Sequence, residues 1–533
     1  MTRGVSARTA TKHGLLDERE LRRHLLSLGV KEKNAVELQH CLIRALLAHA
    51  ETLDVCSSKE IWDAACTWKS SPAACSPRAL RPAFDVLTSK VVLSQESSDG
   101  RTRKMVVELQ RGDQVECVIM LHDGRTTLCV SSQVGCKMGC TFCATGTMGE
   151  RGHLSSGEIL EQLVHANRVL LRAHAQAQRE QLQNVGAATK AAPPRQITNI
   201  VFMGMGEPLN NFESVKVAVL AMLNPKLFCL AATKVTVSTV GVIPNIYEMA
   251  RIMPRVSLAL SLHAPTQATR VEIVPAARAF SLTKLIAAVV HHICTSGKPV
   301  LFEYVLLSGI NDSNENARCT GALLRRAQRS IEAQTAPSAA AAAKASASKR
   351  KTRSRELIKL NVIPYNPAYG IGGPILFDAP SPLRVAAFAR IVRVEFGIRC
   401  TARVEMGQEI DGACGQLAIA TGRNPTNSAK KGEAVVAVVG DVEDLFMGGV
   451  SKKKETAAAA KAGSSSSGSS SRAPGRGARV PQSRAAASSA KTAAAAAAAA
   501  AVAPANAKWR EKCALLCCVF ALLAIALHST LGL

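Results

Sequence analysis

The chain has 533 residues and a formal net charge of +26 at pH 7. Two Ala-, Ser- and Lys-rich segments carry much of that charge, because 333–355 holds six Lys/Arg and no acid, and 451–512 holds twelve against two Glu. Such segments cannot bury a core, so about +10 is left for the rest of the chain, which suits a polyanionic partner or solubility alone. Seventeen irregularly spaced cysteines, with no convincing secretory signal, exclude a secreted disulfide framework and favour a reducing compartment.

Residues 15–95 predict a small helical domain. The stretch LLDERELRRHLLSLG repeats apolar residues at steps of three and four, with acids in its first turn and Gly29 at its end. Residues 100–122 then predict a β-hairpin extension, because two β-rich runs flank the turn residues Gly112 and Asp113. Glu116 lies in the second run, where an exposed strand glutamate is the simplest interpretation.

Three closely spaced cysteines follow in CVSSQVGCKMGCTFCATG. Cys136, Cys140 and Cys143 form a C-x₃-C-x₂-C triplet, and three thiolates on one loop can each hold one iron of a cubane and leave the fourth iron open. A structural zinc site normally closes its shell with four ligands, and neither Cys129 nor His153 stands at the spacing of a compact zinc motif. The spacing therefore favours an open-iron cluster over zinc, and over three unrelated core cysteines.

Strands and helices alternate through residues 123–425, with inserts near 173–194 and 333–355. Short apolar runs closed by Gly, Pro, Asn or His are separated by helical stretches; they are ITNIVFMGMGEPL, KVTVSTVGVIP, RVSLALSLHAP, PVLFEYVLLSGIND and LIKLNVIPYNP. Strands buried on both faces that alternate with helices predict a parallel α/β sheet or barrel.

Polar residues stand at the carboxyl ends of four of these strands: Glu207, Ser238, His263 and Asn366. Each alone is explained by a turn or a helix cap, but that edge of an α/β barrel is where ligands bind, so four equivalent positions indicate a site. Cys414 lies further on, in a Gly-Ala-Cys-Gly loop. It is either a small buried loop cysteine or a residue on backbone that approaches a ligand closely.

The C-terminal region predicts a disordered basic linker over 451–512 and a possible hydrophobic anchor over 513–533. The last segment holds 21 mostly apolar residues, about 31 Å as a helix, which is long enough to cross a bilayer with the body on the Lys/Arg side. The first sixteen residues carry three Lys/Arg and no acid. We therefore expect a cytoplasmic protein, with a mitochondrion, a plastid or a tail-anchored form as alternatives.

Residues 100–420 closely resemble the RlmN/Cfr family of radical S-adenosylmethionine (SAM) RNA adenine methyltransferases. The matching stretches occur in family order: LCVSSQVGCKMGCTFCATG, ITNIVFMGMGEPLNN, KVTVSTVGVIP, LALSLHAP, NVIPYNP and IDGACGQLA. The triplet alone implies only the radical SAM superfamily, whereas the combination is specific to this family. The resemblance implies an α/β fold with a partial (β/α)6 TIM-like barrel, a helical accessory domain at the N-terminus and a low-complexity C-terminal tail.

The resemblance also implies the site residues. Cys136, Cys140 and Cys143 would hold a 4Fe–4S cluster, with SAM on its open iron. The SAM pocket would be formed by Gly206, Glu207, Ser238, Ser261, Leu262, His263 and Asn366. Cys414 corresponds to the cysteine that carries the methyl group and Cys129 to its partner. Glu116 aligns with an acid that acts as a proton acceptor in the family.

This chemistry needs two cysteines because carbon 2 of adenine is electron-poor and cannot attack a sulfonium methyl group. A thiolate can, so Cys414 would take the methyl group first, and a radical derived from a second SAM would activate it. Cys129 would then help to remove the ring proton and attack the Cys414 sulfur, leaving a transient disulfide. Methylation of carbon 8, a catalytically silent RNA-binding protein, and an activase of glycyl-radical enzymes are the alternatives; the last leaves Cys129 and ACGQL unexplained.

Some positions depart from the family pattern R-x-x-R-G-x-D-I-x-A-A-C. Arg403 is kept, but Met406, Glu409 and Gly412 replace the usual Arg, Asp and Ala, which removes one positive charge beside the methyl-carrying loop. The implied partners are rRNA, tRNA and an electron donor such as a flavodoxin or ferredoxin. A monomer is expected, with membrane contact only through 513–533.

Overall fold

The computed structural model describes residues 12–50, 59–68, 71–185, 195–336, 356–370, 373–404 and 406–417. The chain divides into two units, 1–451 and 452–533, and every described residue belongs to the first. The predicted linker, the predicted anchor, most of the second predicted insert and residues 1–11 of the basic N-terminal segment lie outside the described residues. Within the described ranges, no helix has both the length and the apolar character needed to cross a membrane.

Four helices form the N-terminal part of the described chain: α1 Glu18–Ser27, α2 Lys33–Ala48, α3 Lys59–Cys66 and α4 Pro77–Leu80. Helix α1 begins after Asp17, whose side chain accepts a hydrogen bond from the Glu20 N–H, a typical N-cap. Its buried face contains Leu21 and Leu25, four residues apart, as the apolar period predicts. A short strand pair, β1 His13–Gly14 and β2 Phe84–Asp85, joins the two ends of this region.

An antiparallel sheet follows, built from β3 Lys90–Glu96, β4 Thr102–Glu108, β5 Gln114–His122 and β6 Arg125–Cys129. Strands β4 and β5 are the hairpin that the sequence predicts, and Gly112 in their turn has a φ of +85°. All of strand β3 except its last residue lies within 15–95, the range predicted to be helical. It pairs along its length with β4. The spacing of apolar residues along the chain does not reveal this pairing, because the partner strand is a separate segment.

The sheet continues with parallel strands: β9 Asn199–Phe202, β10 Val235–Thr239, β11 Ser257–Ser261, β12 Val300–Leu306, β13 Ile358–Pro364 and β16 Arg399–Ala402. The strand order is β16-β13-β12-β11-β10-β9-β6-β5-β4-β3, and β6 pairs with β9 in parallel. The mixed α/β prediction is confirmed. The barrel strands and the hairpin therefore share one ten-stranded sheet.

Helices connect the parallel strands: α6 Ser156–Val185, α7 Phe212–Leu223, α8 Ile243–Ile252, α10 Leu282–Ser296, α11 Asn314–Thr335 and α12 Pro382–Phe396. The shorter α9 Gln267–Ile273 lies between β11 and α10. Every residue of β12 is buried, as expected for a strand with both faces covered. Helix α6 continues to Val185, well into the range predicted as the first insert.

Small elements outside the main sheet complete the fold at the carboxyl edge of the strands. Strands β7 Gln133–Cys136 and β8 Gly149–His153 form an antiparallel pair, with helix α5 Ala144–Thr147 between them. A second short pair, β14 Tyr369–Gly370 and β15 Gly373–Pro374, follows β13. These elements surround the carboxyl ends of the parallel strands, where the polar residues predicted from the sequence lie.

Candidate active site

The cysteine triplet lies on the connection between β7 and α5. Cys136 is the last residue of β7, and Cys143 directly precedes α5. The β7–β8 pair is unusually close at Gly135, which has a φ of +74°; a Cβ atom there would lie 1.8 Å from the Gly149 carbonyl oxygen. Only glycine fits that position, where the register of the pair shifts directly before Cys136.

The donor set of this loop fits an iron–sulfur cluster. Burial raises the pKa of all three thiols, that of Cys136 to about 12, and the Arg270 charge opposes the increase at Cys140. Binding to soft metal ions displaces the protons and relieves that cost. Among the described residues, no three His, Cys, Asp or Glu side chains converge on a single-ion site. A cubane does not need such convergence, because each thiolate binds a different iron.

One large cavity opens at the carboxyl edge of the parallel strands, with about 1010 Å³ of space, its open mouth included. It is lined by most of the residues that the sequence assigns to the cluster and to SAM: Cys136, Cys140, Cys143, Gly206, Glu207, Ser238, Ser261, His263 and Asn366. Cys414 lines it as well. These residues come from six separate segments of the chain, and the fold brings them to one place.

Glu207 is buried at the start of the loop after β9, with both carboxylate oxygens held by backbone. The Leu209 N–H donates to one oxygen at 2.9 Å and the Val240 N–H to the other at 2.7 Å. Burial raises the pKa of this carboxyl group, while those two donors oppose the increase. A buried carboxylate that lines a cavity and has no basic partner among these contacts is suited to an ammonium group, such as that of SAM.

Gly206 brings the Glu207 loop against the strand that leads to the cluster cysteines. It has a φ of +99°, and a Cβ atom there would lie 2.6 Å from the Gln133 Cβ. The Gln133 side chain accepts a hydrogen bond from the Glu207 N–H at 2.7 Å. Because Gln133 begins β7, this close approach fixes the position of Glu207 relative to Cys136.

The ends of β10 and β11 form another wall of the cavity. The hydroxyl oxygens of Ser238 and Ser261 are 3.4 Å apart, and the His263 Nδ1 accepts a hydrogen bond from the Val305 N–H. His263 has a φ of +59°, a strained conformation for a non-glycine residue and one typical of functional sites. Leu262 does not line the cavity. Its side chain is fully buried, and its N–H donates to the Glu303 carbonyl oxygen.

A second, smaller cavity lies beside the first, with about 580 Å³ of space, its open mouth included. Cys129, at the end of β6, and Cys414 both line it. Most of its remaining wall is apolar and includes Val118, Met120 and Met406. Met406 therefore contributes to a cavity wall, where the sequence indicated only a lost positive charge. Among the cysteines of the described chain, Cys414 alone lines both cavities.

The loop that carries Cys414 is attached on two sides. The Ala144 N–H in α5 donates to the Gly415 carbonyl oxygen at 2.8 Å, which joins this loop to the cluster loop. On the other side, the Asn366 side chain donates to the Cys414 carbonyl oxygen at 3.3 Å and accepts from the Gln408 side chain at 2.6 Å. Asn366 thus both lines the large cavity and holds the Cys414 loop.

The Cys414 side chain is exposed because it faces the cavities. The protein around those cavities still desolvates the sulfur and raises the pKa of the thiol. The nearby Arg403 guanidinium opposes the increase and favours the thiolate, while the charges of Glu303 and Cys143 add to it. Arg403 lines both cavities, as Cys414 does, so the two side chains share a wall in each of them.

Glu116 differs from the simplest sequence interpretation, which was an exposed strand residue. That interpretation is wrong: the residue is 1% exposed and forms an ion pair of 3.3 Å with Lys104, which is also buried. Its side chain is not part of either cavity wall, although Val118, two residues along the same strand, is. The Ser131 hydroxyl donates to the Glu116 carbonyl oxygen, which ties β5 to the segment after Cys129.

Sequence reasoning missed Glu303, which lines the large cavity from within β12. The Asn361 side chain donates to its carboxylate at 2.9 Å. A signal was present, since a lone acid in the apolar run VLFEYVL is costly unless it has a partner or a function. Gln408 was missed for a different reason: its contact with Asn366 joins segments 42 positions apart.

Comparisons with known proteins agree with this geometry. A model of the radical SAM superfamily matches residues 130–317. A probable dual-specificity RNA methyltransferase RlmN from Roseiflexus sp. (strain RS-1) is 38% identical over 368 residues, covering 65% of this chain and 86% of the relative. The dual-specificity RNA methyltransferase RlmN of Psychrobacter arcticus is 38% identical over 341 residues, 62% of this chain and 73% of the relative.

A solved structure supports the same assignment. The crystal structure of a radical SAM methyltransferase from Sphaerobacter thermophilus superimposes with a TM-score of 0.58 at 32% identity, covering 76% of this chain and 99% of that one. Fold and site therefore define a radical SAM enzyme that uses a 4Fe–4S cluster and SAM. Within that class, the chain belongs to the RlmN family and is an RNA methyltransferase.

Proposed function

We propose that this enzyme methylates carbon 2 of adenine in rRNA and tRNA through a methyl group carried on Cys414. The observation that carries the proposal is the place of Cys414 between the two cavities. On one side it shares a cavity with Cys136, Cys140 and Cys143, and on the other with Cys129. A residue in that position can receive a group from SAM and present it to a base.

In this proposal the large cavity holds the cofactors. Cys136, Cys140 and Cys143 bind the cluster, and Glu207 binds the SAM ammonium group. Gly206, Ser238, Ser261, His263 and Asn366 form the rest of the SAM pocket, with Leu262 contributing through its backbone. When bound, the cluster and SAM supply a methyl group and the radical that later activates it. A low-potential donor such as a flavodoxin or ferredoxin supplies the electron.

The smaller cavity receives the target adenine. Its apolar wall, including Val118, Met120 and Met406, suits the face of a base that has left its stack, since bases bind through stacking and apolar contact. The Arg403 guanidinium at the border of both cavities holds Cys414 closer to its thiolate form. The thiolate, not the thiol, attacks a sulfonium methyl group, so this charge assists the first transfer.

Cys129 completes the reaction in the smaller cavity. Once the Cys414 carbon is joined to the ring, the adduct gives up the ring proton and one electron, for which the bound cluster would be the acceptor. The Cys129 thiolate then attacks the Cys414 sulfur, and the sulfur–carbon bond breaks with its electron pair on carbon. That carbon takes up a proton to become the methyl group, the methylated base is released, and a disulfide remains that must be reduced before the next turnover. That requirement fits a reducing compartment such as the cytoplasm. Glu116 receives the ring proton only indirectly in this scheme, because its buried carboxylate pairs with Lys104 and lies outside the cavity walls.

The test is mass spectrometry of nucleosides from RNA incubated with anaerobically reconstituted enzyme, a reductant and methyl-labelled SAM. The proposal predicts label in 2-methyladenosine. Label in 8-methyladenosine would move the enzyme to the other branch of its family. A loaded enzyme that cleaves SAM and labels neither nucleoside would contradict the proposed substrate.

Two cysteine variants test the separate roles of Cys414 and Cys129. Cys414→Ala is expected to abolish methylation, because no thiolate remains to accept the methyl group. Cys129→Ala is expected to accumulate a covalent protein–RNA complex that survives denaturing electrophoresis. The control is Cys319→Ala on helix α11, outside both cavity walls, which should behave as the unmodified enzyme. Normal turnover by Cys129→Ala would exclude the role assigned to that residue.

A further inference from the structure

Arg270 is a buried cation in helix α9, and none of the roles described so far uses it. The residue is 1% exposed, among the least accessible arginines of the described chain. Its guanidinium donates to three carbonyl oxygens: Leu262 at 3.0 Å, Ser261 at 3.1 Å and Val240 at 2.6 Å. All three carbonyls belong to the ends of β10 and β11, beside the large cavity.

The hydrogen-bond partners of the Arg270 guanidinium are neutral carbonyl groups. Among the described residues, Arg270 forms no ion pair, and its hydrogen bonds use Nε and Nη2 only, which leaves Nη1 without an acceptor. A buried charge without a counter-ion is strongly unfavourable, and folded proteins pair such groups or bind an ion with them. The neutral carbonyl dipoles lower that cost, but they carry no negative charge.

The cluster loop lies directly against α9. The Thr141 N–H and hydroxyl both donate to the carbonyl oxygen of Ile273, at 3.0 Å and 3.3 Å. Cys136, Cys140 and Ile273 share one apolar cluster of buried side chains. Val240, whose carbonyl oxygen accepts a hydrogen bond from Arg270, packs against the same apolar cluster and lines the large cavity together with the three cysteines.

We infer that Arg270 is the built-in counter-charge of the iron–sulfur cluster and raises its reduction potential. Three thiolates outweigh the positive charge of the oxidised cluster core, so the protein-bound cluster is anionic and becomes more negative on reduction. A fixed cation beside it favours the state that holds one more electron. The same guanidinium fixes the carbonyls of Val240, Ser261 and Leu262. Arg270 is thus a positioning residue that links cluster charge to the SAM wall. This inference rests on the cluster assignment of the proposed function.

The test is an EPR-monitored redox titration of the full chain after anaerobic reconstitution. Arg270→Gln removes the charge but keeps a hydrogen-bond donor. At a fixed solution potential its ratio of reduced to oxidised cluster should fall about tenfold, which is about 59 mV for one electron. Arg270→Lys keeps the charge and loses the planar fork, so its ratio should stay within about twofold of the parent while its melting temperature falls. Arg251→Gln, an exposed change in α8, is the control.

Two results would overturn the inference. One is an Arg270→Gln protein that has the iron and sulfide content of the parent and the same ratio of reduced to oxidised cluster as the parent. The other, which also applies if Arg270→Gln does not load, is an Arg270→Lys protein whose ratio falls about tenfold despite its retained charge. Failure of the parent itself to load a cluster would instead count against the proposed function, so the two failures are distinguishable.

Discussion

The two cavities are built in different ways, although they share Cys414. The larger one is lined by groups that are fixed by backbone hydrogen bonds, as at Glu207, and by glycine at a position of close approach, as at Gly206. The smaller one has no carboxylate among the described residues of its wall, and its apolar side chains, among them Met120 and Met406, stand beside the Cys129 and Cys414 thiols.

This difference matches two different tasks. Cofactors of constant shape are best held by a rigid, preorganised site, because little entropy is then lost on binding. A base that enters and leaves in every cycle is better served by soft apolar contacts, and methionine adapts to such surfaces. Substitutions in the wall of the larger cavity should therefore abolish methylation. Substitutions in the wall of the smaller one should only lower its rate, except where they remove the sulfur of Cys129 or Cys414.

Loss of one cluster ligand should have the largest effect. Cys140→Ser removes one of three thiolates, so the variant is expected to hold little iron and to show no methylation. Iron and sulfide content and the visible absorbance of the cluster measure this directly. Cys400→Ser is the matched control, since Cys400 is also buried, lies in β16 and lines neither cavity. Full iron content in Cys140→Ser would contradict the ligand assignment.

A Cβ atom at Gly206 should be the next most damaging change. Gly206→Ala combines a φ of +99° with a contact of 2.6 Å to Gln133, and such strain costs on the order of 1–3 kcal/mol. We expect a lower melting temperature and weaker SAM binding by calorimetry. Gly309→Ala has a comparable φ of +73° but nothing within 4 Å of the added atom. If both variants lose SAM affinity equally, the crowding at Gln133 is not the cause.

The charge of Arg403 should set the pH dependence of the first methyl transfer. Arg403 lowers the pKa of the Cys414 thiol, so Arg403→Gln should raise that pKa. Since the thiolate is the reactive form, the rate of transfer in a single turnover should then rise at higher pH than in the parent. Arg403→Lys keeps the charge and should keep the parental profile. Coincident profiles for the parent and Arg403→Gln would exclude this electrostatic role.

The Gln408–Asn366 contact should give a smaller effect. Gln408→Ala removes a hydrogen bond of 2.6 Å to the side chain that holds the Cys414 backbone, worth about 0.5–1.5 kcal/mol. We expect kcat to fall severalfold and the KM for SAM to stay unchanged. Gln334→Ala in α11, where the exposed side chain donates a hydrogen bond to the Ser330 hydroxyl, is the control. An increase in the KM for SAM with normal kcat would assign Gln408 to the cofactor instead.

Met406 should give the smallest effect. Met406→Leu nearly conserves volume and should cost less than about 1.5 kcal/mol, so turnover should remain close to the parent. Met406→Ala removes part of the cavity wall and should lower kcat/KM for RNA a few-fold without changing SAM binding. Equal values for the two variants would show that this wall does not contact the base.

The sequence predicted what depends on local pattern. The spacing of Cys136, Cys140 and Cys143 predicts cluster ligands, and composition together with the closing residues predicts the apolar runs that form β9 to β13. Glu207 is predicted as a site residue because it follows a strand, and it lines the same cavity as the three cysteines. The α/β fold and the convergence of these residues at one sheet edge followed from general rules of chain topology.

Features that depend on contacts between distant segments were not predictable in the same way. The ion pair of Glu116 with Lys104 forms across two strands, and a strand glutamate offers no local sign of such burial. Helix α6 continues into an Ala- and Gln-rich stretch whose composition is equally typical of an insert between regular elements. The setting of Arg270 is defined by carbonyl groups of two other strands. No short stretch of sequence contains that information.

The most direct test of the central claim is to locate the methyl group on the protein. Loaded enzyme is given methyl-labelled SAM without RNA, digested, and analysed by peptide mass spectrometry. The account predicts one labelled methyl group on Cys414 and none on Cys129, with the label passing to adenine when RNA is added. Label on Cys129, or RNA methylation by enzyme whose Cys414 never carries label, would contradict it.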